Sequence, residues 1–208
     1  MYDGIMRPVF TVLAAIALLA GPALASDTKL HEGGDTIPTA QLPRLPPAQI
    51  RADQLDRLFA RLVKAHSAEE AAPAEASIWR LWMTSDSATA ELLLAQAVEA
   101  SAAQQNQIAL DILNKLIDVH PDFMEAWNRR ATVYFLLGKY DQSVSDIDHV
   151  LEAEPRHFGA LSGLGMIKRQ QGDLAAARGA FSDALAVNPT MEGVKRALEE
   201  IEKEDRPI

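Results

Sequence analysis

The sequence contains no cysteine, so disulfides, thiolate nucleophiles and cysteine metal sites are all excluded, as is a lipid-modified cysteine at a cleavage site. Among its 208 residues there is no long run of Lys or Arg, and the net charge is −9, which argues against a nucleic-acid partner. Aromatic residues are scarce, at 6%, and β-branched runs are few, while Ala, Leu and Glu are plentiful. That balance favours an all-α fold, and a hydrophobic content of 48% is enough to build a core. Catalytic patterns are missing too. No G-x-S-x-G, phosphate-binding or dinucleotide-binding run appears. The five histidines (31, 66, 120, 149 and 157) show no metal-ligand spacing. Neither a metal nor another cofactor is expected. Asp146, Asp148 and His149 could be arranged as an acid/base cluster, but on a helix they read more simply as its solvated face. No enzyme activity is expected.

The first 25 residues read as a cleavable export signal. Arg7 supplies the positive start, Val9 to Ala20 is an apolar run, and Ala23-Leu24-Ala25 is an A-x-A cleavage site. The run is 12 residues long, short of the ~20 that span a bilayer, so no stable membrane insertion is expected once cleavage after Ala25 has occurred. The expected address is the periplasm. Residues 26–47 hold Gly33-Gly34, Pro38, Pro43, Pro46 and Pro47 and read as a flexible, Pro-rich leader.

From there helical periodicity takes over. Leu55, Leu58, Phe59, Leu62 and Val63 predict a helix over 50–65. A break is expected at 67–73, then a second helix over 74–83 with Ile78, Trp79, Trp82 and Met83 on its apolar side. Residues 48–86 therefore read as a hairpin, either a degenerate repeat or a cap. Trp79 and Trp82 are expected in the core between this hairpin and the first repeat, or alternatively on an interface.

Three prolines, Pro121, Pro155 and Pro189, then recur 34 residues apart, and the residues between them fall in step. One column reads Ala97, Ala131, Gly165, and the column that opposes it across a helix pair reads Ala109, Ser143, Ala177. Small residues there let two helices approach closely, and Trp127, Tyr134, Phe181, Leu113 and Ile147 pack around them. Gly138 and Gly172 stand where a tight turn needs a positive φ, and Asp173 is an N-cap.

With its period, the motif Trp127, Arg130, Ala131, Tyr134 in the middle copy and the pairs Ala109/Leu113, Ser143/Ile147 and Ala177/Phe181, the segment resembles the tetratricopeptide-repeat family. The resemblance implies a helical-hairpin solenoid with three repeats over 87–189 and a solvating helix and tail over 190–208. Arg130 departs from the pattern, standing in a column usually held by leucine. It is expected to pack its stem and reach water, the alternative being an ion pair with a carboxylate such as Asp146.

The resemblance further implies that the first helix of each repeat lines a concave face. Its groove positions are Glu91, Leu94, Val98, Ser101 and Ala102 in the first repeat and Glu125, Asn128, Thr132, Phe135 and Leu136 in the second. The third contributes Gly159, Ser162, Met166, Arg169 and Gln170. The basic clamp by which some family members grip a partner's terminal carboxylates is not present, since only Arg129 falls on a matching position. The expected function is a non-catalytic adaptor or scaffold of the cell envelope, binding a segment or helix of another protein. Its expected binding residues are Glu125, Asn128, Arg129, Thr132, Phe135, Ser162, Met166 and Arg169. A structural subunit or homo-oligomer is the alternative.

Overall fold

Prolines end the second helix of each repeat in turn. In the computed structural model, which describes residues 47–204, the residues before them are His120, Glu154 and Asn188, and all three have left helical geometry. A residue that precedes proline is pushed out of the α region, so the proline both stops one helix and aims the chain at the next.

All the elements among the described residues are helices: α1 (Pro47–Leu62), α2 (Ala68–Met83), α3 (Ala88–Ala102), α4 (Asn106–Val119), α5 (Met124–Leu136), α6 (Tyr140–Ala153), α7 (Phe158–Gln170), α8 (Leu174–Val187) and α9 (Glu192–Glu204). Helices α3/α4, α5/α6 and α7/α8 form antiparallel pairs, and each pair stacks on the next through α4 on α5 and α6 on α7. Helices α3, α5 and α7 also pack directly on one another, which makes them the inner row of the stack, and α9 closes its far end on α8.

The small-residue column works as expected. A Cβ on Gly165 would lie 2.4 Å from the Phe181 ring, so α7 and α8 cross there only because the position is glycine. The equivalent positions hold the buried alanines Ala97 and Ala131, with Leu113 and Ile147 standing where Phe181 stands. Turns inside the three pairs sit at the same place in the period, with positive φ at Gln104 (60°), Gly138 (70°) and Gly172 (79°).

Several expectations need correction. Helix α2 begins at Ala68, not near 74, and runs through Pro73. Ser67 caps it by accepting from the Glu70 amide, and Glu70 in turn reaches back to the His66 amide, so the start is secured ahead of the proline. Helix α1 begins at Pro47, a residue assigned to the leader. The rest of the leader, the export signal and the last four residues lie outside the described residues. Arg130 does not snorkel. It makes two 2.8 Å bonds to Asp146, a third to Asn114, and lies over the Trp127 ring. A planar, forked cation with two partners on neighbouring helices and a ring beneath it gains more there than in water.

The largest departure concerns the hairpin. Its buried apolar cluster includes no residue of α3. Helix α2 packs on α5, and the α1–α2 core of Phe59, Leu62, Ile78 and Trp82 is continued by Phe158 of α7, with Met124, Val187 and Met191 at its edge. The tryptophans are therefore core residues, but of an interface with the second and third repeats.

Candidate functional site

The inner row has two halves with different fates. At the first turns of α5 and α7, a polar network forms beneath the hairpin. Glu125 is fully buried, and its carboxylate accepts from Asn128 Nδ2 at 3.1 and 3.2 Å and lies 2.7 Å from Arg129 Nε. His157, equally buried, accepts the Ala160 amide on Nδ1 and caps α7; its proton therefore sits on Nε2, which donates to Glu125 at 3.2 Å. Burial pushes the Glu125 carboxyl up. The bond from His157, the Arg129 charge and the bond from Asn128 outweigh that and hold it below the ordinary carboxylate range.

The hairpin forms the lid of this network. Trp82 stacks flat on His157, and Trp79 meets His157 and Phe158 edge-on, at 5.6 and 5.4 Å between ring centroids. Arg129 lies over the Trp79 ring. Trp79 approaches the α7 backbone so closely that a Cβ on Gly159 would lie 2.8 Å from it. Around the rim, Asn188 donates to Glu75 and Arg156 pairs with Asp56.

The second half of the row is open. Thr132 is exposed, Ser162 and Phe135 are half-buried, and Phe135 rests on Tyr140. Met166 is 48% exposed and Leu136 55%. At the α7 end, Arg169 is tied to α9 through Glu200 and Glu204, at 2.7 and 2.8 Å.

Of the eight residues singled out from the sequence, Glu125, Asn128 and Arg129 thus come together under the hairpin. Thr132, Phe135, Ser162 and Met166 share the open face, and Arg169 borders it. As for the acid/base arrangement, Asp146 belongs to Arg130, and the His149 ring lies tilted against Trp127.

Residues 94–148 and 137–192 match the family model described as tetratricopeptide repeat. The chain carries a tetratricopeptide-repeat array. A TPR repeat-containing protein of Rhizobium etli is 44% identical over 120 residues, which is 58% of this chain and 59% of that protein. The small glutamine-rich tetratricopeptide repeat-containing protein 2 of Mycosarcoma maydis is 27% identical, over 54% of this chain and 32% of its own length. The first TPR of Spaghetti (RPAP3), solved bound to the HSP90 peptide SRMEEVD, superposes with a TM-score of 0.55 at 22% identity, covering 57% of this chain and 94% of that one. The array therefore spans about three-fifths of the first relative and about a third of the second. Tetratricopeptide repeats are, in general, surfaces for other proteins.

Sequence reasoning missed the His157–Glu125 link and the hairpin's seat. Two signals were available: Gly159, a bare backbone at a groove position, and the Trp79/Trp82 pair, three residues apart on one helix face. Neither names the other until the chain is folded.

Proposed function

We propose that the chain is a non-catalytic adaptor that binds a segment of another protein on the open half of the inner row. The observation that carries this reading is the joint exposure of Leu136 and Met166, with Thr132, on helices whose other large apolar residues are buried or half-buried. Leu136, Met166 and half-buried Phe135 offer apolar contact, and Thr132 and Ser162 offer hydrogen bonds at the rim. The peptide bound by the Spaghetti domain is acidic, and this array is poorly suited to such a ligand. Arg129, the residue on a clamp position, is already engaged by Glu125 and Trp79.

Export to the periplasm, with cleavage after Ala25 and a role in the cell envelope, belongs to the same proposal. It is supported by Arg7, the apolar run Val9–Ala20 and Ala23-Leu24-Ala25. The experiment is crosslinking and capture from a periplasmic extract with the full chain and with a Thr132→Glu/Met166→Glu variant. One dominant partner, lost from the variant while its helical signal is kept, is the expected result. Equal capture by both overturns the site. Recovery of the chain alone favours a structural homo-oligomer. A mature amino terminus other than Ser26 overturns the cleavage assignment.

A further inference from the structure

The half of the inner row that other elements cover is covered by the chain's own hairpin. The hairpin meets the array through the apolar contact of Trp79 and Trp82 with Phe158, edged by Met124, Val187 and Met191, and through a rim of polar contacts. At the rim, Asp56 is 65% and Arg156 39% exposed, and such a pair holds weakly. Beside it lies an open cleft of about 650 Å³ bounded by Arg51 and Leu55 of α1, Trp82, and Asp122, Met124 and Glu154 of the array. The hairpin is also internally tied, since Arg51 donates to the carbonyls of Leu81 and Thr84. Beneath it, the array presents a site shaped for what α2 brings: a flat imidazole for one indole, a bare Gly159 backbone and the Arg129 cation for the other.

We propose that the first turns of α5 and α7 form a docking site for an amphipathic helix that presents two aromatic side chains three positions apart, and that α2 occupies this site in cis until a partner helix of that kind displaces it. This rests on the adaptor reading and enlarges its binding surface, because displacement joins the covered half of the inner row to the open half. A resident occupant lowers the apparent affinity for a partner by the fraction of time the site is open.

The test uses the full chain and a fluorescent synthetic peptide of residues 67–84, followed by anisotropy. Against wild type, a Trp79→Ala/Trp82→Ala variant is expected to bind the peptide about tenfold or more tightly. A peptide with both tryptophans replaced is expected to bind neither protein. Equal binding by the two proteins, or none by either, overturns the proposal. Should the double variant fail to fold, Gly159→Ala decides, because it pushes Trp79 off from the array side without removing apolar surface. Amides of α1 and α2 are then expected to exchange about tenfold or more faster than in wild type, with α3–α8 unchanged. Hairpin exchange as slow as that of the array in both proteins overturns the proposal. A wild-type dimer with exchanged hairpins would make a second copy the occupant and also overturn it. The adaptor reading fails separately, through unchanged capture by the Thr132/Met166 variant.

Discussion

The indole of Trp82 and the imidazole of His157 are stacked, with centroids 4.0 Å apart and planes 12° from parallel, although 75 residues separate them in the chain. His157 is thereby used on every side. One nitrogen caps α7, the other holds Glu125, and the ring face supports the hairpin. Replacing it with alanine removes the cap and leaves a buried carboxylate short of a donor. The expected cost is about 2–4 kcal/mol by urea denaturation. His157→Asn, which can still cap, should lose less. A cost equal to that of a surface substitution would show that the network is not held as described.

Glu125 sets the response to acid. Its folded carboxyl is depressed below the ordinary glutamate value of 4.5, so it contributes stability above that value and loses the contribution as pH falls below 4.5 through the depressed one. Wild type should therefore lose denaturant resistance over that window more steeply than Glu125→Gln. Parallel pH profiles would remove Glu125 from the acid response.

The crossing at Gly165 leaves no room for a side chain. Gly165→Ala places a Cβ 2.4 Å from the Phe181 ring, and the expected cost is about 1–3 kcal/mol, read as a lowered melting midpoint. In a Phe181→Leu background the same substitution should cost less, because Ala97 and Ala131 coexist with the smaller Leu113 and Ile147. Additive costs would mean the two positions do not share the strain.

The turn of the first repeat offers a stabilising change. Gln104 adopts the φ of 60° that its counterparts adopt as glycine. A side chain there is unfavourable by ~1–2 kcal/mol, partly offset because glycine is freer when unfolded. Gln104→Gly should therefore gain about 0.5 kcal/mol and Gly138→Gln lose about 1 kcal/mol in thermal melts. A loss from Gln104→Gly would indicate that the glutamine side chain makes a contact worth more than the strain.

The repeat array was legible in the sequence because its determinants are local and recur. Proline, a turn residue and a small-residue column return every 34 positions, and each acts on neighbours within one helical pair. The exposure of Thr132 and Met166, at positions that the family resemblance assigns to the groove, follows from the same recurring helix phase. What only the tertiary structure decided lies between distant segments. Arg130 has helix-surface periodicity, but its partners Asn114 and Asp146 are each 16 residues away, and their convergence outweighs hydration. The hairpin's periodicity shows that it has an apolar face but not what that face meets. Gly159, Arg129 and His157 supply a seat on the inner row that fits Trp79 and Trp82, so the tryptophans are buried there rather than against α3. Amphipathic pattern determines that a surface must be covered; shape and charge on a distant element determine by what.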